Sequence, residues 1–200
     1  MKPGSTRERL LAAAQDAVRE RGITSATARD ITSRAKANLA SIPYHFGTKD
    51  ALIAEALIAD ARTIIEPVLA LLAADQPPEL RAMAAAGLLN QQFEAERARV
   101  PVLLTTIARA PHSPEVAAGL ATLWSELRHR LADDLQAMVD AGHVPAWVAP
   151  DAMAALILAV VSGVVVGSVV DPEGPEAGEV SNQFLTLLMA VAGTRDGGNV

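Results

Sequence analysis

Apolar residues recur at helical spacing from the start of the chain, with Leu10, Ala14, Ala17 and Val18 on one stripe of a segment running from about Arg7 to Arg21. Ser5 and Glu8 form a capping-box pair ahead of that segment, and Gly22 behind it supplies a stop. A second start signal stands at Thr27, with Asp30 three residues on and Ile31 and Ala35 as the inward positions of a short helix. Asn38 offers a third cap, so that a segment from Asn38 to Tyr44 follows as another short helix. Two short helices joined by a turn of about three residues outline a helix-turn-helix, whose second helix reads bases.

Gly47 and Thr48 open a longer helix to about Ala74, ended by Asp75, Gln76, Pro77 and Pro78, and Pro67 inside it should kink or split it. Further helices are predicted at about 79–97, 102–110 and 114–141. An apolar stretch from Ala152 to Val170 comes next, then an exposed loop beginning at Asp171, then a last helix over Val180 to Ala192. Strand alternation and internal repeats are both missing from this pattern. The expectation is an all-α fold: an N-terminal three-helix helix-turn-helix DNA-binding domain over residues 1–47, and a C-terminal helical effector and dimerisation domain over 48–200.

Charge changes the picture more than composition does. Net charge is -6, which looks wrong for a DNA binder, but residues 1–50 hold nine Lys or Arg against five acids, a surplus of +4. The other residues therefore carry -10, and a basic head on an acidic body suits phosphate attraction at one end. Hydrophobic residues make up 50% of the chain and aromatics 3%, which favours helices packed through small side chains. Without cysteine, disulfides and thiolate metal sites are excluded. His45, His112, His129 and His143 lack ligand spacing, so neither a metal nor a cofactor is expected. No Gly-x-Ser-x-Gly elbow, phosphate-binding glycine loop or His-Glu-x-x-His pair occurs, so no catalytic residue is assigned and the chain is not read as an enzyme. The N-terminus has no apolar core of a secretory signal, and a cytoplasmic location is expected.

From Thr27 to Leu52, and most specifically over Tyr44-His45-Phe46-Gly47-Thr48-Lys49-Asp50-Ala51-Leu52, the sequence resembles the TetR family of regulators. The resemblance implies an Ω-shaped homodimer with two heads on a near-palindromic operator and a small effector in the body altering their separation. By similarity Tyr44, His45 and Lys49 contact phosphates, with Thr27 and Arg29 placed for the same task. Leu39, Ala40 and Ser41 are short enough to approach base edges behind Asn38. Two residues depart from the family pattern. Lys36 replaces the usual glycine after the second helix, a position favouring positive φ, and can offset the strain by reaching a phosphate. Pro43 removes a backbone donor inside the recognition helix, which should therefore be short, tightened or bent. Phe46 reads as core, while Tyr44 fits either core or surface.

The stretch over residues 152–170 is long enough to span a membrane, but Asp151 and Asp171 flank it and no Lys or Arg stands nearby to orient it. It is read instead as a dimerisation helix. Leu156, Val160, Gly163, Val164 and Gly167 form its contact face, and Phe184, Leu187, Leu188 and Val191 of the last helix complete a four-helix interface. An effector pocket is placed among Met83, Phe93, Leu104, Trp124 and Arg128, with a mostly apolar ligand. The competing function is a helical carrier or enzyme that binds an apolar molecule without DNA, and the basic head is what separates the two.

Overall fold

The computed structural model describes residues 4–77, 80, 81, 84, 88, 100–176, 178–180, 182–184, 186 and 187. Every regular element bounded among them is helical: α1 (Thr6–Arg21), α2 (Ala28–Arg34), α3 (Ser41–Phe46), α4 (Lys49–Leu72), α5 (Val100–Arg109), a 3-10 turn (Ala110–His112), α6 (Pro114–Asp140) and α7 (Pro150–Val170). Met83, Phe93, Leu188 and Val191 lie outside the described residues, as does most of the helix expected over 79–97.

Local signals decide where these helices begin. Ser5 Oγ accepts the Glu8 amide at 3.2 Å while Glu8 Oε2 accepts the Ser5 amide at 2.7 Å, so the capping box closes both ways and contributes about 1 kcal/mol. Thr27 Oγ1 accepts the Asp30 amide at 3.2 Å, and Thr48 Oγ1 accepts that of Ala51 at 3.0 Å. Gly22 and Gly47, at φ +77° and +75°, end α1 and α3. Pro67 does not split α4, which runs unbroken through it. Ile64, Val68, Leu69 and Leu72 are buried on either side of the proline, and their packing outweighs a lost backbone bond and ring clash of about 3 kcal/mol.

The chain packs as two compact units, the first drawn from residues up to Thr63 together with Pro101–Leu123, the second from Ile64–Val100 together with residues from Trp124 onward. In the first unit Leu10, Ala14, Ala17, Ile31, Leu52, Ile53 and Leu57 form the core, and Val116 of α6 is buried in the same cluster. Val102, Ala110 and Leu120 pack against it. Gly119 lets α6 pass close to α4, since a Cβ there would sit 2.6 Å from Ile58 Cγ1.

The second unit holds two apolar clusters, one of Val68, Leu69, Leu72, Leu127 and Leu158, the other of Ala132, Leu135, Met138 and Ala154. Arg81 pairs with the buried Asp134 and donates from Nη1 to the Ala74 carbonyl at 3.0 Å. Burial raises the Asp134 carboxyl above its ordinary range, and Arg81 pulls it part of the way back. Helix α7 is long and apolar enough to cross a membrane by length and composition. Within one chain it buries only Ala154, Leu158 and Val165, while Leu156, Val166, Val169 and Val170 are exposed.

Candidate nucleic-acid interface

Helix α2 ends in a Schellman turn. The Ala37 amide donates to the Thr32 carbonyl at 2.9 Å and the Lys36 amide to the Ser33 carbonyl at 3.2 Å, closing around Lys36 at φ +49°. Lys36 thus takes the left-handed conformation that its position in the sequence demanded, and its side chain is exposed. Arg9 of α1 covers a further carbonyl of this turn, donating from Nε to that of Ala35 at 3.1 Å.

The next helix starts later than the sequence indicated. Asn38 does not cap α3; its Oδ1 accepts the Ala40 amide at 3.0 Å, an Asx turn, and α3 begins at Ser41 without a side-chain cap. Between them the chain is wound tightly, with Ser41 donating to the Asn38 carbonyl at 2.9 Å and Ile42 to that of Leu39 at 3.3 Å, both over three residues. Pro43 therefore falls in the first turn of a six-residue helix, where a backbone donor has no intrahelical partner to lose.

The side chains sort clearly. Ile42 is buried, whereas Leu39, Ala40 and Pro43 are exposed, Ser41 and His45 are half-buried, and Tyr44 is 84% exposed. Tyr44 meets His45 edge-on at 4.8 Å between ring centroids, so it belongs to the surface. Phe46 packs against the core, and the Arg7 guanidinium lies 4.9 Å above its ring. Thr27 and Arg29 are exposed at the start of α2, and Lys49 donates from Nζ to the Ala26 carbonyl at 3.4 Å just before it. Ten of the eleven expected DNA-facing positions thus lie on the turns and helices of one helix-turn-helix, and the eleventh, Lys49, opens α4.

Five arginines of the basic head bond within the protein. Arg7 reaches both Glu55 oxygens at 2.7 Å; Arg19 binds Asp60 at 2.9 Å and Asp16 at 3.0 Å; Arg21 pairs with Asp30 at 3.4 Å. Arg34 bridges Asp30 and Glu20, holding the Glu20 carboxyl below its ordinary value. Arg9 is the fifth. Charge counting along the sequence therefore overstated the cations facing outward, since these partners lie up to 48 positions apart. Of the other described cations of the head, Arg29 and Lys36 stand at the two ends of α2, and Lys49, bonded to the Ala26 carbonyl, stands at the start of α4.

The other expected sites fall elsewhere. Leu104 is half-buried in the first unit, while Trp124, 45% exposed, and Arg128 stand on α6 in the second. Arg128 pairs with Asp151 at the start of α7 and lies 2.8 Å from His129 Nε2. Val160, Gly163, Val164 and Gly167, together with Val180, line an open cleft of about 300 Å³. Leu156 and Leu187 are also exposed, and Phe184 is half-buried.

Residues 10–56 match the family model of the bacterial regulatory proteins of the tetR family, and residues 78–193 match that of the BetI-type transcriptional repressor, C-terminal. No curated protein matches the sequence. Among solved structures, a TetR transcription regulator from Haloarcula marismortui is similar at a TM-score of 0.79 and 19% identity, over 94% of this chain and 97% of that one. A transcriptional regulator from Rhodococcus sp. Rha1 gives 0.69 and 25%, over 94% and 98%. A transcriptional regulator from Saccharomonospora viridis, solved with choline, gives 0.74 and 19%, over 90% and 94%.

Proposed function

The chain belongs to the TetR family of DNA-binding transcriptional regulators, and on that premise we propose that it is a ligand-responsive repressor occupying a near-palindromic operator as a homodimer. The observation that carries this reading is the exposed face running from Arg29 and Lys36 through Leu39 and Tyr44, with the half-buried Ser41 among them. Leu39, Ala40 and Ser41 are the base-reading group behind Asn38 and Pro43, while Thr27, Arg29, Lys36, Tyr44, His45 and Lys49 fix the head on phosphates. Residues 1–47 serve as the DNA-binding domain and 48–200 as the ligand-binding and dimerisation domain.

Dimerisation falls to α7 and the last helix, since Leu156, Val166, Val169 and Val170 expose an apolar face beside the cleft and Gly163 and Gly167 admit close backbone approach. Two heads in such a dimer read half-sites about one DNA turn apart, or a multiple of it. An effector in the body, mostly apolar in chemistry, shifts the balance between states that bind and release the operator. That the Saccharomonospora viridis structure was solved in complex with choline supports a small-molecule effector. The reading has the protein act in the cytoplasm, without catalysis.

A gel shift across a salt series, using DNA from upstream of the protein's own gene, tests it. Salt-sensitive binding by a dimer is the expected outcome. Monomer alone in sedimentation at about micromolar concentration, or equal affinity for any duplex of the same length, would remove the proposed mechanism.

A further inference from the structure

Arg9 stands in the first turn of α1, and all three of its guanidinium nitrogens point at protein oxygens. Nε donates to the Ala35 carbonyl at 3.1 Å, Nη1 to the Gly4 carbonyl at 2.7 Å, and Nη2 to Thr6 Oγ1 at 3.2 Å. The Ala35 carbonyl belongs to the peptide plane that leads into Lys36 at φ +49°. That plane cannot turn without changing ψ of Ala35 and φ of Lys36 together, and those two angles set the direction of the chain into Asn38 and α3. Lys36 departs from a comfortable backbone, so its conformation persists only while its surroundings hold it.

We propose that Arg9 is a positioning residue for base recognition: by fixing the Ala35–Lys36 peptide it sets how Leu39, Ala40 and Ser41 meet the bases, without itself touching DNA. The inference rests on the reading of residues 38–44 as the recognition segment. Arginine suits the task because its planar fork reaches three acceptors in fixed geometry, which a lysine ammonium on a flexible stem does not. A guanidinium so engaged differs from a phosphate contact in a measurable way. Losing a phosphate contact lowers the salt slope of binding by about one on any sequence, whereas losing a brace lowers discrimination and leaves the slope alone.

The test compares the wild type with R9A, R9K and R9Q. Each is titrated with a duplex that the wild type enriches from a randomised pool and with a scrambled duplex of equal length, over a salt series, beside thermal melting. R9A is expected to bind the enriched duplex about tenfold more weakly and the scrambled one within about twofold of wild type, with an unchanged salt slope. R9K, which keeps the charge and loses the fork, should discriminate as poorly as R9A. Full rescue by R9K with a slope lowered by about one in R9A would make Arg9 a phosphate contact and overturn the inference. Equal losses on both duplexes would reduce it to a fold contact and overturn it as well. Should R9A melt below the assay temperature, R9Q takes its place, and wild-type discrimination by R9Q overturns the inference. A wild type that enriches no duplex would instead remove the DNA-recognition reading itself.

Discussion

At Lys36 the left-handed backbone costs a residue with a side chain about 1–2 kcal/mol, which glycine would not incur. Lys36→Gly should therefore raise stability by about 1 kcal/mol in thermal melts, part of the relief being returned to the freer unfolded chain. If the lysine reaches a phosphate, the same variant binds DNA more weakly on every sequence with a salt slope reduced by about one. A stabler protein with unaltered binding would leave its charge without a function. Arg81 and Asp134 give a second prediction, with a pH dependence. Because burial raises the Asp134 carboxyl, the folded protein holds that proton more tightly than the unfolded chain. Its ionisation thus costs stability, and the cost lifts as pH falls through the folded value. Arg81→Ala strands the charge, with an expected loss of about 3 kcal/mol near neutral pH and a melting temperature that climbs as pH falls. At this scale the sequence announced the φ of Lys36 and the caps at Ser5, Thr27 and Thr48. It could not announce Arg9 on Ala35 or Arg7 over Phe46, because those pairs join positions that only the folded backbone brings together.

Helix boundaries were legible wherever a side chain competes for backbone donors close by, as at Ser5, Thr27 and Thr48. The start of α3 was misplaced because Asn38 satisfies the Ala40 amide in a turn, and a cap and an Asx turn use the same residue type. Contacts between helices are less visible still. Gly119 reads as a weak point in α6, yet its missing side chain is what Ile58 of α4 occupies. Gly119→Ala gains about 1 kcal/mol of helix propensity and loses about 1–3 kcal/mol to overpacking, so a modest net destabilisation is expected in denaturant melts. Ile58→Val in the same chain should recover part of it, and additive effects of the two changes would show that the contact is not limiting.

For the whole molecule, Gly163 and Gly167 make a contrasting pair of sites, because a Cβ at either has open space in the single chain. Leucine at both should leave the melting of the monomer unit nearly unchanged while abolishing the dimer in sedimentation, and a dimer of undiminished affinity would move the interface off this face. The division of charge bears on the same scale. A body carrying -10 repels DNA, so the proposed contacts rest on the few cations near α2 and α4 rather than on overall attraction. Val116 leads to a different kind of consequence, for anyone wishing to transplant the reading head. Its burial among Leu10, Ile31 and Leu52 means that residues 1–47 are not a detachable cartridge. A chimera spliced at Gly47 onto a foreign body would meet an alien side chain where Val116 belongs. Donor and recipient could be exchanged cleanly only if the residues up to Thr63 and the stretch Pro101–Leu123 travelled with the head.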